Sequence, residues 1–137
     1  MNKILVSIGF LLVFGVSAQA QTRSVTIQFA NSPTAGVSGY NAYRVLCSAV
    51  TGTTCTQSGT PAKINTALIF SPFTDNSVVA GQKYEYYITA QCPSVGCSPG
   101  ISGESVPSSK AIANIPPLAN QLPGAPPNIT ITIVSTP

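Results

Sequence analysis

The chain has 137 residues with six basic residues, three acidic residues and no histidine, so it carries little charge for one domain's worth of polypeptide. Charge this thin and scattered excludes a nucleic-acid footprint. Three carboxylates and no histidine leave no activated serine or acid pair, and no phosphate-cradling glycine loop or calcium-type carboxylate cluster is present. No catalytic, cofactor-binding or metal-ligating residue is therefore expected, and the protein is not read as an enzyme.

The elements begin with an export signal over residues 1–20. Lys3 supplies the positive start, Ile4 to Val16 form an apolar run, and Ala18-Gln19-Ala20 gives the small-x-small cleavage pattern before Gln21. The run is about a third shorter than the roughly 20 apolar residues of a membrane span, and Gln21 in place of a cysteine argues against a lipid anchor. No other segment is long and apolar enough to cross a bilayer. The exported part is expected to be secreted or held at the cell surface. It carries five basic residues against three acidic ones. Ser, Thr, Asn, Gln and Gly must then cover much of the surface, and low charge eases association between copies.

After the signal, helix patterns give way to short runs of Val, Ile, Thr, Tyr and Phe punctuated by Pro and Gly, which predicts an all-β two-sheet sandwich. The first strand is Ser24 to Phe29, with Val25, Ile27 and Phe29 on one face. The second is Ser38 to Cys47, with Tyr40 and Ala42 on one face and Tyr43 and Val45 on the other. Thr51-Gly52-Thr53 turns the chain, and Cys55 opens a short return strand. Pro61 to Asn65 leads into a strand over Ala67 to Phe73, followed by a turn at Thr74-Asp75-Asn76. The clearest strand follows, with Tyr84, Tyr86, Ile88 and Ala90 alternating against Glu85, Tyr87, Thr89 and Gln91. A last sandwich strand is expected from about Ser108 to Ile115. Phe29, Tyr40, Phe73, Tyr84, Tyr86 and Ile88 are the expected core.

Four cysteines in an exported chain suggest a disulfide framework. They fall into two close pairs, Cys47/Cys55 and Cys92/Cys97. Three pairings are open, of which the local one is simplest; its short loops would contribute roughly 2–3 kcal/mol each and act as hairpin staples. A four-cysteine metal site is disfavoured by the lack of histidine and of CxxC spacing.

Gly39-Tyr40-Asn41-Ala42-Tyr43-Arg44, Ile64-Asn65 with Phe73-Thr74-Asp75, Ala80-Gly81-Gln82-Lys83-Tyr84-Glu85-Tyr86 and Ser105-Val106-Pro107-Ser108-Ser109, in that order, resemble a fibronectin type III domain of the bacterial extracellular kind over about residues 24–116. The resemblance implies an immunoglobulin-like sandwich of seven antiparallel strands. It places Tyr84 at the family's tyrosine corner, whose hydroxyl ties turn to strand, and Phe29 where a core Trp is usual. The cysteine pairs fall outside the family pattern.

The family's first strand is missing: the exported chain has no room for it before Ser24. A segment resembling that strand stands instead at the other end. Residues 21–116 form the sandwich, 117–127 read as a Pro-rich linker, and 128–137 carry Ile129, Ile131 and Ile133 alternating with Thr130 and Thr132. Such a strand seeks a partner for its apolar face and its backbone. Folded back as the missing first strand, it would require the linker to span the long axis of the domain, which twelve residues at ~3.1 Å each just allow. Passed to the next copy, it would build a head-to-tail filament by strand donation. Otherwise it frays.

Glu85 is expected on the outer face of its strand, Asp75 in a turn bonded to local amides, and Glu104 in a loop. Tyr43 and Tyr87 form an exposed aromatic pair, read as cross-strand packing ahead of a sugar- or protein-binding patch. The expected function is that of a secreted structural or adhesive module, its partner another copy of itself or an extracellular protein or glycan. The rival expectation is a monomeric binding module whose last strand completes its own sandwich.

Overall fold

The computed structural model describes residues 23–93, 96–97, 102–118 and 128–133. The expected signal segment, residues 119–127 of the expected 117–127 linker, and residues 134–137 lie outside the described residues. Those described form eight strands and no helix: β1 Ser24–Phe29, β2 Gly39–Thr51, β3 Thr54–Lys63, β4 Phe73–Asp75, β5 Lys83–Cys92, β6 Gly103–Glu104, β7 Ala111–Asn114 and β8 Asn128–Ile133. One sheet has the order β4-β1-β8. The other runs β3-β2-β5, with β6 and β7 both paired to the far edge of β5.

Period-two alternation decides which side chains meet between the sheets. Val25, Ile27, Ile131 and Ile133 of the three-stranded sheet share one core with Tyr40, Ala42, Tyr86 and Ile88 of the other. Val25, Ile27, Ala42 and Tyr86 have no exposed surface at all. Of the expected core residues, Phe29, Tyr40, Tyr84, Tyr86 and Ile88 are buried, and Phe73 packs against the core half-buried. Both disulfides take the local pairing, Cys47–Cys55 and Cys92–Cys97, with Cα atoms 5.4 Å and 5.2 Å apart.

Several expectations need correction. The strand expected over Ala67 to Phe73 reduces to a single bridge, Tyr40 to Ile69. The side chain of Asn65 displaces it: Asn65 Oδ1 accepts the Ala42 amide at 2.7 Å and its Nδ2 donates to the Ala67 carbonyl at 2.8 Å, taking ladder positions a backbone would have used. The strand starts later, at Phe73, and includes Asp75, which was expected in a turn. The return strand after Cys55 is ten residues long.

The last sandwich strand, expected from Ser108, begins at Ala111. The chain ahead of it already follows β5, because the Ser105 amide donates to the Ala90 carbonyl and the Ser108 amide to the Ile88 carbonyl, both at 2.9 Å. Pro107 has no N–H and interrupts the ladder. The Ser105 and Ser108 hydroxyls accept the Ala90 and Ile88 amides in place of backbone carbonyls. Glu104 lies in β6 and not in a loop.

The expected all-antiparallel sandwich fails at one place. β8 pairs with β1 in parallel, from Ser24 beside Asn128 to Phe29 beside Ile133. The strand's position therefore does not require a connection along the long axis of the domain. β7 ends where β5 begins, with Lys83 beside Asn114, and the Gly81 amide donates to the Ile115 carbonyl at 3.0 Å. β1 begins at this same pole, because Asp75, the register partner of Val25, accepts from Tyr86 of β5. The connection from β7 to β8 need only cross between the sheets, a distance of about 10 Å.

Candidate functional site

The seat of β8 is the feature from which any assembly or completion role must come. Val25 lies beside Ile129, Ile27 beside Ile131 and Phe29 beside Ile133. The pleat turns these odd-numbered residues inward and leaves Thr130 and Thr132 exposed. Ile131 retains 8% of its surface and Ile133 2%, whereas Ile129 is half-buried. Burial on this scale stabilises by about 1.5–3 kcal/mol per isoleucine, so the strand is part of the core and not an appendage to it. The three isoleucines singled out in the sequence are thus brought together along one edge of β1, within the same chain.

At the pole where β1 and β8 begin, polar groups tie the sheets together. Asp75 Oδ2 accepts from Arg44 Nη1 at 2.7 Å and from the Tyr86 hydroxyl at 2.9 Å, while Oδ1 accepts the Ser77 amide and hydroxyl. Burial alone would raise the Asp75 carboxyl. The bonds from Ser77 and Tyr86, with the Arg44 charge, outweigh burial and hold the carboxyl below its usual range. Burial also raises the Tyr86 phenol, and the neighbouring Asp75 carboxylate pushes it further in the same direction. The Arg44 guanidinium lies 4.9 Å from the centre of the Tyr84 ring, a cation–π distance. The Tyr84 hydroxyl accepts the Val79 amide at 3.2 Å, closing the turn before β5.

At the opposite pole the sheets part around an open cleft of about 220 Å³. Phe29, Tyr40, Ile88 and Ile133 form its walls, and Val106 and Pro107 stand at its rim. Among the described residues, none that lines it is charged. Phe70 and Val106 are strongly exposed, and the Phe70 ring lies edge-on to Tyr40 with centroids 6.4 Å apart.

No protein-family model matches the chain, and neither a curated protein nor a solved structure matches it.

The outer face of the larger sheet carries the third feature. Tyr43 and Tyr87 are register partners with rings 4.9 Å apart and 9° from parallel, so each ring covers a face of the other. Glu104 accepts from the Tyr43 hydroxyl, from Asn41 Nδ2 and from the Thr89 hydroxyl. Burial would raise this carboxyl, but those bonds and the Lys63 charge hold it below the usual range. Glu85 does lie on this face, yet only 5% of it is exposed: Gln57 donates to it and Lys110 pairs with it at 3.0 Å. The carboxylates thus act as acceptors that pin strands. Asn65 and the two serines of the interrupted edge, Ser105 and Ser108, stand in segments that carry the family resemblance, but the sequence reading assigns them no role of their own. Isolated Asn and Ser in a Gly/Ser/Pro-rich chain carry no periodic signal, so alternation could not reveal their side-chain role.

Proposed function

We propose that the chain is a non-catalytic, exported structural or adhesive module, a fibronectin type III-like sandwich that its own C-terminal strand completes. The observation that carries this reading is the burial of Ile131 and Ile133 beside Ile27 and Phe29. That edge of β1 is where the family's first strand would lie, and β8 fills it from the other end of the sequence. The Tyr84 hydroxyl bonded to the Val79 amide agrees with the tyrosine corner that the resemblance implies. Two disulfides fit an oxidising compartment outside the cytoplasm, and among the described residues no helix is long and apolar enough to cross a membrane.

Groups suited to adhesion are the cleft, with the exposed Phe70 and Val106 beside it, and the half-buried Tyr43/Tyr87 pair on the outer face. The test is to fractionate producing cells and examine the protein by mass spectrometry. A chain starting at Gln21, recovered outside the cytoplasm with both disulfides formed, is the expected result. A full-length cytoplasmic chain with four free thiols would contradict the proposal.

A further inference from the structure

We propose that β8 is exchanged between two copies of this chain, and that the exchange closes as a reciprocal pair instead of propagating as a filament. The inference rests on the reading of β8 as the strand that completes the sandwich, and it names the partner of that seat as a second copy. Among the described residues, β8 is held by its six-residue parallel register with β1, by the burial of Ile131 and Ile133 in the core, and by contact with β7. A second copy's β8 meets the same groups in the same register, so the contacts are equivalent whether the strand comes from its own chain or another. Residues 111–133 contain no charged side chain. Opening therefore breaks no ion pair of that segment, and two such segments passing each other meet no mutual repulsion.

Polarity decides between closure and propagation. A filament requires a copy to give its strand at one pole and to receive at the other. Here β7 ends, and β1 and β8 begin, at one pole. Giving and receiving thus occur at the same place. The nine residues from Ala119 to Pro127 reach at most ~28 Å when extended, which forces donor and acceptor to abut at that pole. Two copies set pole to pole satisfy both seats at once, in the two-fold arrangement commonest among oligomers. A chain of many copies would have to crowd every member around one point.

Mass action sets when the pair forms. A short linker presents β8 to its own seat at an effective concentration of around 1 mM. The monomer is therefore the dominant form in dilute solution, and the pair becomes comparable only as the protein approaches that concentration or is refolded there.

The register supplies the test. Thr26 and Thr130 are direct partners on the outer face, half-buried and exposed respectively. Three oxidised proteins are prepared: Thr26→Cys, Thr130→Cys and the double variant. Each is unfolded without reductant, refolded at ~10 µM or ~1 mM, and treated with a short bismaleimide that links only the new thiols. The double variant at low concentration should link within one chain. A mixture of the two single variants should yield a linked species holding one of each, its ratio to monomer rising in proportion to concentration. Linking within the double variant without any mixed dimer would overturn the exchange and leave self-completion standing. No link within the double variant would overturn the β1–β8 register, and both readings with it. A ladder beyond two chains would overturn closure in favour of a filament.

Discussion

Asp75 takes on four polar partners at the end of a three-residue strand, and its chemistry governs how the fold responds to pH. Its carboxyl is held below the usual range by Ser77, Tyr86 and Arg44 against the opposing effect of burial. A depressed carboxyl contributes stability that is present above its unfolded value, near 4, and is lost as pH falls through the lower folded value. Tyr86 works in the opposite sense. Burial and the Asp75 charge raise its phenol, so its contribution is present below about pH 10, the unfolded value, and fades only as pH climbs through the raised folded one. Asp75→Asn should cost about 1–3 kcal/mol in urea unfolding, because it removes the charge partner of a half-buried guanidinium that is left with the Ser77 hydroxyl and the Tyr84 ring, and should flatten the loss of stability below pH 4. A variant that unfolds with the wild-type acid profile would show that Asp75 does not carry that loss. Asn65→Ala, which removes the acceptor of the Ala42 amide, should cost about 1–3 kcal/mol; Asn65→Asp, which keeps that acceptor but sets a carboxylate oxygen against the Tyr40 and Ala67 carbonyls, should not recover it at neutral pH.

Strand by strand, the elements show what patterning can and cannot reveal. β1, β2 and β5 alternate so regularly that their inward faces were legible from the sequence, down to Val25, Ile27, Tyr86 and Ile88. The segment from Ala67 to Phe73 is just as rich in strand formers, yet it bridges β2 at only one residue, because an amide side chain occupies the ladder. The edge opposite β5 misled for a related reason: Ser105 and Ser108 continue it through their hydroxyls, which no period-two pattern records. β8 was legible as a strand, and its burial follows from its isoleucines, but its direction was not. Alternation is the same read forwards or backwards, so a parallel mate and an antiparallel one look alike in sequence.

Packing then grades the isoleucines. Ile133→Ala and Ile131→Ala should each cost about 2–5 kcal/mol by thermal or urea unfolding, and Ile129→Ala, at a half-buried position, clearly less. Equal losses at all three would mean that β8 is not seated in this register. The Cys92–Cys97 staple closes a loop of only five residues in sequence separation. Replacing both cysteines by serine should lower stability by roughly 2–3 kcal/mol without loss of the fold.

Taken whole, the molecule is a sandwich whose strands do not follow sequence order, since the last strand fills the place beside the first. Its remaining edges are managed unequally. β4 is three residues long, β3 carries Pro61, Lys63 and two register shifts, and the β6–β7 edge is interrupted by Pro107. β8 is regular over six residues and uncharged, so Thr132→Lys, on its exposed face, should leave the melting temperature within a degree or two while raising solubility at high concentration. The small size of the domain makes the closing strand matter. Net stabilities of single domains are about 5–15 kcal/mol, and the burial of Ile131 and Ile133 represents about 3–6 kcal/mol of it. Urea unfolding of the oxidised chain from Gln21 to Pro137, compared with one ending at Leu118, measures that share most directly. The shorter chain should unfold at a much lower urea concentration, with a transition that is less steep or lost altogether. Superimposable curves with equal slopes would contradict the claim that β8 belongs to the core.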